Sequence, residues 1–277
     1  MNEQLYRLAA FSTSPAGGNP AGVWLGEALP DAAAMQRIAA EVGYSETAFV
    51  APLDGTERHI RYYSPLREIS FCGHATIAAG VVLGQTAGAG RYRLQTAVGE
   101  VLVEAFRDGE QWLAALTSVE PEQRAVPPGW LERVLEALDW RPEELDPALP
   151  PMLAYAGAWH LVLAVSSAAR LARLDYDVER LKALMEDAGL VTLQLVYRED
   201  ELVFQARNPF PVGGVVEDPA TGAAAAALGG YLRAAGLMPV PGELLIRQGE
   251  AMGRPSELRV RVPAAGGIRV SGAAVAL

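Results

Sequence analysis

One order of elements occurs twice in this chain, and it constrains the fold more than any other feature. Asp31 stands where it can cap a helix, and "AAAMQRIAAEVG" follows, with Met35, Ile38, Ala39 and Val42 on one face and Gly43 as the stop. Two strand candidates come next, "SETAFVAP" and "RHIRYYSP", the second with Ile60 and Tyr62 on one face. A loop, "LREISF", then leads to Gly73 and the apolar stretch "HATIAAGVVLG". In the second half Asp177 precedes "VERLKALMEDAG", with Leu181, Leu184 and Met185 on one face and Gly189 as the stop. The strand candidates "TLQLVYRE" and "ELVFQARN" follow, then the loop "PFPVGGVVEDPAT", Gly222 and "AAAAALGGYLRAAG". Gly43 to Gly73 spans 30 positions and Gly189 to Gly222 spans 33. The strands that open the halves, in "GGNPAGVWL" and "AGAWHLVLAV", also correspond. An internal duplication is the expected origin, and it predicts an α+β protein of two similar halves.

The Pro-rich, polar stretch "TSVEPEQRAVPPGW" reads as the linker between them. The predicted domains are 1–117 and 118–266, with the tail strand in 267–277 completing the first. The alanine run after Thr221 is read as a tightly packed helix broken by Gly229 and Gly230, whose small side chains let strands close around it.

Composition excludes some functions. The formal net charge of −10 over 277 residues argues against general nucleic-acid binding, which wants a basic face. A small anionic substrate remains compatible, because one site can be positive on an acidic protein. The single cysteine, Cys72, excludes an internal disulfide and any mechanism that needs two thiols from one chain. The opening residues show no basic stretch followed by an apolar one, and no apolar run is long enough to span a membrane, so a cytoplasmic protein with no membrane partner is expected.

The chemistry gathers at the two glycine-led helix starts. The first N–H groups of a helix lack internal partners, and the dipole adds roughly +0.5 charge there, so anions bind such ends. If the halves pack about a pseudo-twofold axis, the N–H groups of Gly73, His74, Gly222 and Ala223 can hold one substrate carboxylate in a shared cleft. The dipole at the first helix start opposes a positive ring, which leaves His74 as a neutral donor or acceptor. His59 and His160 read as structural. Asp218 precedes Pro219, which restricts its backbone, and Thr221 is the expected N-cap of the second helix. Glu46 stands just past a helix stop at the entry of an apolar strand, placed to take up and return a proton. Cys72 reads as a small buried residue. Side chains at i and i+2 entering a helix are expected to point apart, which leaves no Cys–His dyad, and Cys-x-His alone lacks further metal ligands.

Four motifs in order, "GGNPAGV", "YSETAFV", "FCGHATIAAG" and "EDPATGAAAA", resemble those of the phenazine-biosynthesis PhzF-like isomerase family, as does the late "QGEAMGRPSEL". The resemblance implies a diaminopimelate-epimerase-like fold, with two domains that are each a sheet rolled around a central helix. It implies a homodimer without cofactor or metal, with Glu46, His74 and Asp218 as catalytic residues and Ser45 and Asn19 as secondary substrate contacts. The family often carries a serine where this chain has Ala223, so one possible substrate hydroxyl contact is absent. The implied function is isomerisation or epimerisation of a small carboxylic acid. The alternatives are a small-anion-binding protein of the same fold and, against the single cysteine, a two-thiol racemase or epimerase.

Overall fold

A computed structural model describes residues 3–127 and 129–277. Met1, Asn2 and Pro128 lie outside the described residues, the last of them in the expected linker. The chain divides into two compact units, Met1–Thr117 with Ser271–Leu277, and Ser118–Val270.

In the first unit, strands β1 (Gln4–Ala10) and β2 (Asn19–Leu25) form an antiparallel pair. Helix α1 (Ala32–Val42) carries the chain to β3 (Glu46–Pro52), parallel to β2. Asp31 caps α1 by accepting from the Ala34 N–H, and Gly43 ends it at φ 73°, the left-handed conformation that glycine adopts without penalty. Met35 and Ala39 of α1 bury against Trp24, Phe49 and Tyr63 on the outer face of the sheet. Strand β4 (Glu57–Tyr63) returns antiparallel to β3, and the short β5 (Glu68–Ile69) pairs with its end. Helix α2 (Gly73–Ala87) leads to β6 (Gly90–Thr96), parallel to β4, followed by β7 (Gly99–Asp108) and β8 (Gln111–Thr117). The chain's last strand, Arg269–Ala276, pairs with both β1 and β8 and so closes the ring. Every residue of α2 from His74 to Gly84 is buried. A helix apolar on all sides belongs inside, and here it fills the barrel. A Cβ on Gly84 would come within 2.6 Å of the Trp112 ring, so the close approach requires glycine.

The second unit repeats this order. Strand β9 (Glu122–Ala125) is followed by α3 (Trp130–Ala137), β10 (Met152–Tyr155) and β11 (Trp159–Val165). After the short α4 (Ala168–Ala172), α5 (Val178–Asp187) leads to β12 (Leu190–Asp200), parallel to β11. Strand β13 (Val203–Pro209) runs antiparallel to β12, and β14 (Glu217–Asp218) pairs with its end as β5 does with β4. Helix α6 (Gly222–Ala234) leads to β15 (Gly242–Gln248), parallel to β13, then β16 (Ser256–Val262), antiparallel to β15. Helix α6 packs on β9, β10, β11, β12 and β16. Both units therefore place two parallel crossovers at the same points, one through an amphipathic outer helix and one through an apolar central helix.

Two sequence expectations change here. The stretch read as a linker contains β9, which pairs antiparallel with β10 from Met152↔Ala125 to Tyr155↔Glu122. Its polar residues are tolerated because most of its side chains face solvent. Gly229 and Gly230 do not break α6, which runs through both. A Cβ on Gly230 would sit 2.4 Å from Pro121, so the glycine marks close contact rather than a helix end. None of the described helices is long and apolar enough to cross a membrane.

Candidate active site

Glu46 is the first residue of β3, and register places it beside Ala21 of the parallel β2. Asn19, almost fully buried, opens β2 at the same end of the sheet. Cys72 is the N-cap residue of α2, with Gly73 and His74 in the first turn. Glu46 Oε2 lies 3.3 Å from His74 Nε2, and Ser45 Oγ lies 3.4 Å from the same nitrogen. The His74 side chain is 7% exposed and that of Glu46 17%, so the pair is shielded yet reachable. A Cβ built on Gly73 meets nothing within 4 Å, which leaves room for a ligand at the backbone of the helix start.

Cys72 differs from its sequence reading. It is buried, as expected, but its Sγ lies 3.3 Å from His74 Nδ1 and 3.6 Å from Glu46 Oε2. The N-cap residue is extended, at φ −144° and ψ 117°, so its side chain does not follow the helical wheel that separates i from i+2. Glu46, arriving from β3, also supplies the third ligand type that the sequence spacing lacked.

The helix start is fixed from below. Thr76 Oγ1 donates to the Cys72 carbonyl at 2.6 Å, so the Tyr62 hydroxyl, 2.6 Å away, is the donor to Thr76. Burial pushes the Tyr62 hydroxyl pKa far up, which keeps it protonated for this role.

A second polar cluster, in the second unit, is built around Asp218. Asp218 pairs in register with Asn208 of β13. Before it, Glu217 and Arg207 form a bidentate ion pair at 3.0 and 2.5 Å, both side chains largely buried, which anchors the short strand. Thr221 occupies the N-cap position of α6, as expected, but its hydroxyl makes no capping bond and instead donates to Asp218 Oδ2 at 2.6 Å. Gly222 and Ala223 open the helix and are partly exposed.

Gln248 completes this network, and the sequence reading did not single it out. Its Nε2 donates to the Asp218 carbonyl at 2.7 Å and to Thr221 Oγ1 at 3.0 Å, while its Oε1 accepts from the Thr221 N–H at 3.2 Å. The next residue, Gly249, at φ 80°, has no room for a side chain. A Cβ there would stand 2.4 Å from the Arg254 carbonyl oxygen and 2.7 Å from that of Pro219. The "QGEAMGRPSEL" motif thus clasps the Asp218–Thr221 loop. The available signal was periodic: Leu244 and Ile246 face inward on β15, and Gln248 is the next inward position.

The whole chain can be set beside known proteins. The family described as phenazine biosynthesis-like protein matches residues 8–277. An uncharacterized isomerase of Deinococcus radiodurans is 36% identical, with 94% of this chain and 86% of the relative covered. The trans-2,3-dihydro-3-hydroxyanthranilate isomerase of Pseudomonas chlororaphis is 30% identical, with 92% and 88% covered. The crystal structure of a Bacillus anthracis phenazine biosynthesis protein of the PhzF family superposes with a TM-score of 0.87 at 22% identity, covering 100% of this chain and 98% of that one. The fold is α+β and diaminopimelate-epimerase-like, and the chain belongs to the phenazine-biosynthesis-like, PhzF-like family.

Proposed function

We propose that this protein is an isomerase or epimerase that moves a proton between carbon positions of a small carboxylic acid, using side chains and backbone alone. The observation that carries this reading is the Glu46–His74 pair at 3.3 Å beside an open helix start. Glu46 takes a proton from substrate carbon and returns it to another position or face. The electron pair released moves toward the carboxylate, where preorganised N–H donors stabilise the charge as it forms. The N–H groups of Gly73 and His74 supply those donors at the start of α2, and those of Gly222 and Ala223 offer the same chemistry at the start of α6. His74 orients the substrate, with Ser45 and Asn19 as secondary contacts, and Asp218 is the corresponding acidic group of the second unit. Thr221 holds one Asp218 oxygen, so that carboxylate is positioned before substrate arrives.

Relatives named as dihydro-hydroxyanthranilate isomerases suggest the first compound to try. A panel of small unsaturated and α-substituted carboxylic acids, including that one, is incubated with the protein in D₂O. Deuterium uptake at carbon, reduced in His74→Ala and Asp218→Asn, supports the reading. Tight binding of panel acids without uptake would favour a small-anion-binding protein instead.

A further inference from the structure

The faces of β11, β12 and β13 that look toward α6 carry polar side chains. Leu161, Leu163, Leu193 and Leu195 turn outward and pack with residues of α3 and α5, so alternation turns His160, Thr192 and Gln194 toward α6. These three and Asn208 of β13 are at most 1% exposed. Register sets His160 beside Thr192. The ladder that pairs Leu195 with Arg207, continued by one residue, sets Gln194 opposite Asn208, with Cβ atoms roughly 4.5–5.5 Å apart. Thr192 Oγ1 ties the cluster together, lying 2.8 Å from His160 Nδ1 and accepting from Asn208 Nδ2 at 3.1 Å. Four atoms have no partner among the described residues: His160 Nε2, Asn208 Oδ1, and Oε1 and Nε2 of Gln194. The first unit solves the same place differently. Asn208 stands where Tyr62 stands in β4, and Ala225 stands three residues past Gly222 as Thr76 does past Gly73. The Tyr62 and Thr76 hydroxyls satisfy each other at 2.6 Å, whereas the run Ala223–Ala227 gives α6 no polar side chain to offer. Buried polar atoms left unpaired are costly and rare in native proteins. The cluster carries no charge to hold an ion, because burial keeps the His160 ring neutral. Water fits it: water donates and accepts, so it serves a carboxamide oxygen, a carboxamide N–H and either tautomer of a neutral imidazole, and an internal water is held by about three such bonds.

We propose that His160, Gln194 and Asn208 hold a buried water molecule inside the second unit, at the place that the Tyr62–Thr76 pair closes in the first. The water bridges His160 Nε2 to the Gln194 carboxamide and to Asn208 Oδ1. Through Asn208 it braces β13 where that strand's backbone pairs with Asp218. The site does not depend on the function proposed above.

A crystal structure of the full-length chain that orders internal waters decides occupancy. The expected result is an ordered water within hydrogen-bond distance of His160 Nε2 and of at least one of Gln194 and Asn208. A dry gap there, or the three side chains bonded directly to one another, overturns the site. Stability gives a second reading, and its sign separates the cases. Gln194→Met nearly conserves the side-chain volume. With water bound, the variant removes one of the water's partners, and the folding equilibrium constant measured by urea denaturation falls roughly 5-fold, the factor of one net hydrogen bond. In a dry cluster the same variant removes a stranded carboxamide, and the constant rises. An unchanged or raised constant therefore overturns the proposal. The crystallographic reading uses the parent chain alone, so it stands even if Gln194→Met does not fold.

Discussion

Replacing Gln248 with methionine tests how the Asp218 loop is held. The side chain is 1% exposed and makes three hydrogen bonds, to the Asp218 carbonyl, the Thr221 hydroxyl and the Thr221 N–H. Methionine nearly conserves the volume, so the cavity cost that alanine would add is avoided. Each bond contributes about 1 kcal/mol net, and the stranded carbonyl and N–H add a desolvation cost of similar size or larger. Apolar burial of the methionine offsets part of this, leaving an expected loss of about 2–4 kcal/mol. Chemical denaturation followed by circular dichroism reads that loss as a lower midpoint. Thr221 would also lose its backbone tether, so the Thr221–Asp218 bond loosens and turnover falls along with stability. The conservative Gln248→Glu keeps the acceptor for the Thr221 N–H but sets an oxygen against the Asp218 carbonyl, so it should not rescue. A stability within about 0.5 kcal/mol of the parent in Gln248→Met, the range of an ordinary surface change, would refute the clasp.

Two further perturbations follow from single residues. Burial pushes the His160 pKa down to about 4 from 6.5, opposed only in part by a hydrogen bond with the Thr192 backbone, so the ring is neutral in the fold. The unfolded chain binds the proton first. The stabilising effect is therefore full above pH 6.5 and is lost as pH falls toward 4, up to about 3 kcal/mol, and His160→Gln should flatten this part of the stability–pH curve. An unchanged slope in the variant would contradict it. Gly73→Ala meets no neighbour within 4 Å and should leave thermal unfolding unchanged, but the methyl enters the space assigned to the substrate carboxylate. Its KM or ligand Kd should rise at least about 10-fold, and unchanged binding would remove Gly73 from the site.

Much of the fold is legible in the sequence because it rests on local chemistry. Asp31 and Asp177 act as caps, and Gly43 and Gly189 adopt left-handed turns at the two stops. The repeated order reflects two units with matching strand pairings. What escaped depends on tertiary contact. Strand β9 is short and polar, and only its partner β10 makes it a strand. Gly229 and Gly230 read as helix breakers in isolation, yet α6 runs through both, and close packing against Pro121 requires the glycine at 230. At the site, Glu46 and His74 are legible as candidates, but their 3.3 Å approach requires β3 and α2 to meet. The Cys72 contact was misread because the extended N-cap turns its side chain back toward His74. Gln248 was missed because its inward alternation on β15 marks it as buried but does not reveal its partner Thr221, 27 positions earlier in the chain.

The central claim is that Glu46 carries the proton. Glu46→Gln keeps the shape of the side chain and its reach to His74 but cannot take up a proton at neutral pH. With any acid that the parent protein exchanges in D₂O, the rate of deuterium incorporation is measured by NMR for both proteins at equal occupancy. The account predicts that Glu46→Gln folds and binds the acid yet exchanges at least about 10²-fold more slowly, the least a placed general base contributes. Exchange at the parental rate would contradict it and move the proton-transfer role to His74 or Asp218.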